Sequence, residues 1–214
     1  MKSPKIPVAL EGYPFILFAA FATLITALVE CSWGATAGLA LTGLVLWFFR
    51  DPERVVPVEE NAAISPADGK IIVVEKIMDD RFLHREVLKI SIFMNVFNVH
   101  VNRFPLTGTV KEIRLVPGRF YSADTEKGAL HNEHCALLVT TKGGSEYAVV
   151  QVAGLIARRI VCWAEQGDTL ESGQRYGLIR FGSRVDLYLP PQTEALVNKG
   201  QKVRAGETIL ARLP

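Results

Sequence analysis

The sequence contains few cysteines and has a small net charge. It contains three widely spaced cysteines, Cys31, Cys135 and Cys162, and no Cys-Xaa-Xaa-Cys pair. This pattern predicts neither a disulfide framework nor a zinc knuckle, so we interpret all three as small apolar side chains. The net charge of only +2 argues against nucleic acid as a partner. There is also no run of basic residues of the kind that binds anionic lipid.

What the sequence has instead is a long apolar block near its N-terminus. The block comprises two apolar segments, Tyr13–Val29 and Ala35–Phe49, separated by a predicted turn at Glu30–Gly34. Each segment is slightly shorter than the roughly 20 residues that span a bilayer with ease. Almost every face of both segments is apolar, which favours lipid over the core of a soluble domain. The block is also too long for a cleaved signal peptide.

Basic residues flank this block on both sides. Lys2 and Lys5 precede it, Arg50 and Arg54 follow it, and the turn between the two segments carries neither lysine nor arginine. Because positive residues favour the cytoplasmic side, both ends are predicted to be cytoplasmic. Residues 1–50 are therefore predicted to form a membrane-associated helical hairpin that spans the inner membrane or enters one leaflet. Residues 51–214 would form a domain on the cytoplasmic side.

Residues 51–214 have a hydrophobic period of two far more often than 3.6, which predicts a mainly β fold, a compact sandwich or barrel-like domain. Leu155–Glu165 is predicted to be a short helix or irregular. Two further segments, Ser65–Ile71 and Val197–Leu210, resemble the halves of lipoyl and biotinyl carrier domains, and the second is predicted to be a hairpin. The predicted strands are Lys70–Ile77, Glu86–Phe93, Val110–Leu115, Ala136–Thr141, Tyr147–Val152, Arg184–Leu189 and Thr208–Leu213.

The segment around His100 is rich in chemically active side chains. An extended strand would place Asn98, His100 and Asn102 on one face and Arg103 on the other. A single histidine on a strand is more often structural than catalytic, but a face with two amides around an imidazole is unlike a core face. Asp68, in an Ala-Asp-Gly sequence, has two interpretations. It is either an ordinary turn residue or a carboxylate that orients a histidine.

Two other histidines, His131 and His134, stand in a His-Asn-Glu-His sequence. As metal ligands they would need a third partner, and the spacing does not supply one. We therefore predict no metal site and interpret both as loop or structural residues.

Three motifs occur in a fixed order: SPADGK at residues 65–70, NVHVNRFP at 98–105, and GLIRFGSRVD at 177–186. In this order and at these lengths they resemble the phosphatidylserine decarboxylase proenzymes of the short bacterial and archaeal type. The resemblance covers nearly all of residues 50–214, and the hydrophobic leader also fits it.

The resemblance implies a self-cleaving enzyme. Cleavage between Gly182 and Ser183 would produce a 1–182 chain and a 183–214 chain that stay together as a heterodimer. Ser183 would become a pyruvoyl group, the electron sink that no ordinary side chain provides. It would form a Schiff base with the substrate amine, and phosphatidylserine would yield phosphatidylethanolamine and CO2. By the same resemblance His100 is the base that activates Ser183, and Asp68 is its orienting acid.

Substrate contacts and alternatives follow from the same motifs. Arg103 stands where longer bacterial relatives have a second histidine, and it is a candidate contact for the substrate phosphate or carboxylate, with Asn98 and Asn102 as further candidates. The expected partners are a phospholipid substrate and the membrane, and a higher oligomer is possible. The alternative is a membrane-anchored lipoyl-like or phosphocarrier module with His100 as the acceptor, and a membrane-anchored β domain that binds a partner is a further alternative.

Overall fold

The computed structural model describes residues 7–155, 159–180 and 182–214. The chain divides into two compact units, one ending at Glu53 and the other comprising Arg54–Pro214. The helices are α1 (Tyr13–Leu28), α2 (Ser32–Phe48) and α3 (Glu126–His131), with a 3-10 turn at Leu10–Gly12.

The first unit is a pair of apolar helices, which confirms the predicted secondary structure of this region. The turn between them is shorter than expected, because α2 already begins at Ser32 and Glu30 reverses the chain with a φ of 59°. The helices approach closely beside Gly38, where an added Cβ would lie 2.6 Å from the Thr23 Oγ1. The Thr23 and Thr42 hydroxyls lie 3.2 Å apart across the same contact. Small residues and hydroxyls at a helix contact are typical of membrane helices.

One helical stretch of this unit, Leu10–Leu28, is long and apolar enough to cross a membrane, with 19 residues and a mean hydropathy of 1.5. The second helix is shorter, at 17 residues. Large apolar side chains point outward from both helices, including Phe18 and Leu39, at 75% and 68% exposed. Outward-facing apolar side chains suit contact with lipid.

The second unit is mainly β, as predicted. Its strands are β1 (Ala62–Ile64), β2 (Gly69–Asp79), β3 (Arg85–Met94), β4 (Val101–Arg103), β5 (Gly108–Val116), β6 (His134–Thr140), β7 (Glu146–Val152), β8 (Ile160–Cys162), β9 (Thr169–Leu170), β10 (Arg175–Ile179), β11 (Ser183–Leu189), β12 (Glu194–Ala195), β13 (Lys202–Val203) and β14 (Ile209–Arg212). Among the described residues, eight of these strands form one antiparallel sheet in the order β13-β2-β3-β11-β7-β6-β5-β9, and two three-stranded sheets have the orders β1-β14-β12 and β4-β10-β8.

Strand β11 shows how side-chain alternation organises this unit. Its residues are all buried. Val185, Leu187 and Leu189 belong to the main core, whereas Tyr188 belongs to a smaller cluster on the opposite face of the sheet. Because successive side chains of a strand point to opposite faces, Ser183 shares the face of Val185, toward the main core.

The seven predicted strands are confirmed, with ends that differ by at most two residues. The expectation for Leu155–Glu165 was wrong at Ile160–Cys162, which form β8 and pair with β10. The other described residues of this segment are irregular, as expected, and residues 156–158 lie outside the described part. Helix α3 was not predicted, since a helix of six residues is too short to show a hydrophobic period.

The C-terminal segment takes a different form from the predicted hairpin. Its two arms do not pair with each other among the described residues: β13 pairs with β2, and β14 pairs with β1. The two segments that resemble carrier halves are thus interleaved. The Gly206 N–H donates to the Ser65 carbonyl at 2.9 Å, and the Ser65 N–H donates to the Thr208 carbonyl at 2.8 Å.

Candidate active site

Two of the three motifs meet at one end of the large sheet. Strand β3 lies between β2 and β11 and is antiparallel to both, so β2 and β11 begin where β3 ends. Asp68 immediately precedes β2, Ser183 is the first residue of β11, and Met94, the last residue of β3, pairs with Ser183. Neighbouring strands are about 4.8 Å apart, so the backbones at Asp68 and Ser183 are separated by roughly two strand spacings.

The third motif reaches the same place through β4. His100 immediately precedes β4, which is antiparallel to β10, and β10 leads along the chain to Gly182. The Ile179 N–H donates to the His100 carbonyl at 3.3 Å. His100 is fully buried. The pairing of β4 with β10 therefore ties the histidine motif to the segment just before Ser183.

The side-chain amide of Asn102 holds β4 against the face of the large sheet that carries Ser183. Its Nδ2 donates to the Met94 Sδ at 3.6 Å, and its Oδ1 accepts from the Gln151 Nε2 at 2.8 Å. Met94 and Gln151 belong to β3 and β7, the strands on either side of β11, and they pair with Ser183 and Val185. The Asn102 amide thus bridges across β11 within the core.

Gln151 was missed from the sequence. It is fully buried and takes an inward position between Val149 and Ala153, which belong to the main core. The sequence did contain a sign of it, since Gln151 is a polar residue at an inward-facing position of the predicted strand Tyr147–Val152. Its Oε1 has no hydrogen-bond partner among the described residues, which marks the region as a polar pocket within an otherwise apolar core.

Ser183 is fully buried, and its Oγ has no hydrogen-bond partner among the residues that the structure describes. A buried hydroxyl without a partner is costly and calls for an explanation. The preceding residue, Gly182, has a φ of 60°, in the left-handed region that glycine adopts at little cost. The peptide bond between them therefore joins a left-handed glycine to a buried hydroxyl that has no hydrogen-bond partner among the described residues.

The Asp68 carboxylate is held from two directions. The Arg54 Nη2 donates to both of its oxygens, at 3.0 and 3.2 Å, and the Ala205 N–H donates to Oδ1 at 2.8 Å. The side chains of Arg54 and Asp68 are only about one-tenth exposed. Arg54 also lies 3.4 Å from the Glu207 carboxylate. These contacts fix the orientation of the Asp68 carboxylate.

Arg103 is buried and belongs to the same region. Its Nη1 donates to the Gly173 carbonyl at 3.0 Å, and its backbone N–H donates to the Pro66 carbonyl at 2.9 Å. An added Cβ at Gly206 would lie 2.8 Å from the Arg103 Cδ. Arg103 thus joins the second motif to the turn that carries Asp68.

The prediction that one strand carries Asn98, His100 and Asn102 on a single face was wrong for Asn98 and His100, which both lie before β4. The strand begins at Val101, and Asn98 closes a turn in which its Oδ1 accepts from the Asn95 N–H at 2.9 Å. Asparagine side chains readily bind nearby backbone and so favour turns over strands.

His134 is a structural residue at the start of β6, and its tautomer can be assigned. Arginine can only donate, so the Arg81 contact at 3.2 Å makes Nε2 the acceptor and leaves Nδ1 to donate to the Asn132 carbonyl at 3.0 Å. Burial lowers the pKa of His134, and this favours the neutral ring. His131 ends α3 and is exposed. No group of three metal-ligating side chains occurs among the described residues.

Behind β11, on the opposite face from Ser183, lies a buried charge network. Arg184 donates to Asp186 at 2.5 Å and to the Ser91 Oγ at 2.8 Å, and both charged side chains are under 5% exposed. The Lys89 Nζ lies 3.9 Å from Asp186, and burial lowers the pKa of Lys89. This network anchors the strand immediately after the Gly182–Ser183 bond.

Comparison with known proteins agrees with the motif order. The family model for phosphatidylserine decarboxylase matches residues 41–211. Relatives named phosphatidylserine decarboxylase proenzyme include one from Desulfotalea psychrophila, 60% identical over 213 residues, and one from Pelobacter propionicus, 50% identical over 220 residues. A third, from Geotalea uraniireducens, is 49% identical over 214 residues. In all three comparisons the whole of both chains is covered. The chain therefore belongs to the phosphatidylserine decarboxylase family and is an enzyme of the decarboxylase class.

Proposed function

We propose that this chain cuts its own Gly182–Ser183 bond and uses the resulting pyruvoyl group to convert phosphatidylserine to phosphatidylethanolamine and CO2. The observation that carries the proposal is the Ser183 Oγ, which is buried and has no hydrogen-bond partner among the described residues. It directly follows a left-handed glycine and lies at the end of the sheet where β2 begins, next to Asp68. The name proenzyme, carried by the relatives, supports a processing step.

The cleavage chemistry balances without an oxidant. The Ser183 Oγ attacks the Gly182 carbonyl carbon, the C–N bond breaks, and the hydroxyl proton passes to the nitrogen, which converts the amide to an ester. Loss of the Ser183 Cα proton and of the Gly182 carboxylate then leaves a dehydroalanine. One water releases ammonia from it and completes the ketone. A hydroxyl is a poor nucleophile unless a base removes its proton.

His100 is the base that we propose for this step. It is fully buried, and the segment that follows it is fixed over β11 by Asn102. Asp68, whose orientation Arg54 and Ala205 hold, is proposed to orient and charge-stabilise the imidazole. The attack would then need no large rearrangement of the fold.

The site fits a group made from Ser183, because this side chain is buried and has no hydrogen bond to lose among the described residues. The ketone supplies the electron-withdrawing carbonyl that amino-acid decarboxylation requires. His100 is proposed to return a proton to the substrate Cα after CO2 leaves, since an imidazole titrates near neutral pH. Arg103, Asn98 and Asn102 remain proposed substrate contacts, although each already makes a contact within the protein.

The two products of cleavage are proposed to stay together. The 183–214 chain would contribute β11, which lies between β3 and β7 of the other chain in the large sheet. It would also contribute β13, which pairs with β2, and the Ala205 N–H that binds Asp68. Separation would break strand pairs on both sides of β11 and expose core residues.

The membrane is the proposed location of the substrate and of the enzyme. One apolar helix long enough to cross a bilayer lies near the N-terminus, and a diacyl lipid stays in the bilayer. The flanking positive charges favour a cytoplasmic position for the β unit. A higher oligomer stays a prediction.

Intact mass measurement of the purified full-length protein tests the proposal. We expect two chains, of residues 1–182 and 183–214, with the smaller lighter than its serine form by one ammonia. The Ser183→Ala protein should remain a single chain, and a carbonyl reagent should label and inhibit only the cleaved protein. A wild-type protein that stays at full length with an intact serine would contradict the proposal.

A further inference from the structure

Gly154 lies against the carbonyl of the bond that we propose is cut. It follows β7 closely, and a Cβ added to it would lie 1.7 Å from the Gly182 oxygen and 2.8 Å from the Gly182 carbonyl carbon. Contacts of a real Cβ below 3.0 Å are essentially never seen. We propose that Gly154 is a positioning residue that seats the Gly182 carbonyl for attack by Ser183, an inference that rests on the proposed self-cleavage.

The backbone beside Gly154 is firmly held, so it acts as a fixed surface. The neighbouring Ala153 donates its N–H to the Glu133 carbonyl at 2.9 Å and accepts from the Asn132 Nδ2 at 2.8 Å. Asn132 is 1% exposed, and its amide also bonds both the N–H and the carbonyl of Tyr121, each at 2.8 Å. A side chain added at position 154 would therefore displace the Gly182 carbonyl more readily than its own backbone.

The orientation of this carbonyl controls the first chemical step. The Ser183 Oγ has to approach the Gly182 carbonyl carbon, and negative charge develops on the oxygen that faces Gly154. To reach an ordinary contact of 3.4 Å from the 1.7 Å separation, the added Cβ and that oxygen would have to move apart by a further 1.7 Å. A misplacement of about 1 Å can already slow a reaction by about 100-fold. Gly182 supplies the left-handed φ of 60°, and Gly154 supplies the space that this conformation requires.

The role of Gly154 is specific to processing. After cleavage the Gly182 carbonyl becomes the terminal carboxylate of the 1–182 chain and takes no further part in decarboxylation. Substitution of Gly154 should therefore affect the rate of self-cleavage far more than the decarboxylation rate of molecules that have already been cleaved. Substitution of a residue with only a structural role would not slow self-cleavage selectively while leaving decarboxylation by the cleaved molecules nearly unchanged.

The test compares Gly154→Ala with Gly108→Ala in the full-length protein. Gly108 is a matched control, because its added Cβ would also clash, at 2.6 Å from the Val139 Cγ1, but at the opposite end of the sheet from Ser183. Three quantities are measured: the rate of self-cleavage by intact mass, the thermal midpoint, and the decarboxylation rate per cleaved molecule. Cleaved molecules are counted by titrating their pyruvoyl carbonyl with a carbonyl reagent.

We expect Gly154→Ala to slow self-cleavage by about 100-fold. Gly108→Ala should lower the thermal midpoint and cleave at nearly the wild-type rate. If the wild type cleaves and Gly154→Ala cleaves within twofold of the wild-type rate, this inference is overturned and the proposed function is not. Equal slowing of self-cleavage in Gly154→Ala and Gly108→Ala would also overturn it. A wild-type protein that never cleaves would overturn the proposed function and this inference with it.

Should Gly154→Ala fail to fold, Asn132→Asp replaces the amide donor to Ala153 with an oxygen at nearly unchanged volume. It should slow self-cleavage in the same direction, because the support of Gly154 is loosened. A folded Asn132→Asp protein with the wild-type rate of cleavage would then overturn the inference.

Discussion

Arg54 and Asp68 form a buried ion pair in which one guanidinium nitrogen donates to both carboxylate oxygens, at 3.0 and 3.2 Å. A third hydrogen bond to the same carboxylate comes from the Ala205 backbone, beyond the proposed cleavage site. The Asp68 side chain, which is proposed to orient the base, is therefore itself held in place. One of its partners precedes the Gly182–Ser183 bond in the sequence and the other follows it.

Asp68→Asn should slow self-cleavage strongly while preserving the fold. The substitution keeps the shape of the side chain but removes the negative charge that would stabilise a protonated His100, so we expect a loss of about 10²–10⁴-fold. The rate is measured by intact mass over time. Glu207→Gln is the matched control, since Glu207 also contacts Arg54 but is 31% exposed and has no proposed role. Equal rates in the two variants would argue against a role for the Asp68 charge.

Asp186→Ala should destabilise the β unit. It leaves the Arg184 guanidinium buried without its carboxylate, and breaking a buried pair in this way costs roughly 3–5 kcal/mol. Urea unfolding in a Ser183→Ala background measures the free energy of unfolding on a single chain. Glu112→Ala is the control, because the side chains of Arg114 and Glu112 are 35% and 46% exposed and their pair should contribute far less. A similar change in both variants would contradict this prediction.

Stability should fall as the pH drops below the ordinary histidine pKa of 6.5, partly because of His134. Burial lowers its pKa in the folded state, so between the folded and unfolded pKa values the unfolded chain binds more protons. Stability from this group is therefore present above pH 6.5 and lost as the pH falls. Thermal midpoints measured from pH 8 to pH 5 should decline less in His134→Gln than in the wild type. The exposed His131 serves as the control, and His131→Gln should keep the wild-type decline.

Phe18→Arg should weaken retention in the membrane. Phe18 is 75% exposed on α1, and a cation in the middle of a lipid-facing helix costs about 2.5–3.5 kcal/mol by insertion scales. Alkaline carbonate washing of membranes measures the retained fraction. Leu115→Arg places the same charge on an exposed leucine of the β unit and should leave retention unchanged. Complete release of the wild-type protein would contradict an inserted hairpin.

Local patterns in the sequence were enough for the main elements. The apolar segments are helices, and strands with a period of two, such as Glu86–Phe93, lie within two residues of their predicted ends. These features depend on neighbouring residues only. The order of the three motifs likewise identifies the family without reference to geometry, because motif order and spacing are properties of the chain itself.

The contacts around the Gly182–Ser183 bond depended on the tertiary structure. Strand pairing across the sheet places Gln151 beside Asn102, directs β13 to β2, and sets Gly154 against the Gly182 carbonyl. Each of these contacts joins residues that are far apart in sequence, and no local pattern specifies register or the distance between two backbones. The sequence by itself determined that Gly182 and Ser183 are adjacent and what chemistry a serine can perform. Only the folded sheet decided which groups surround that bond, because burial and orientation arise from packing between distant strands.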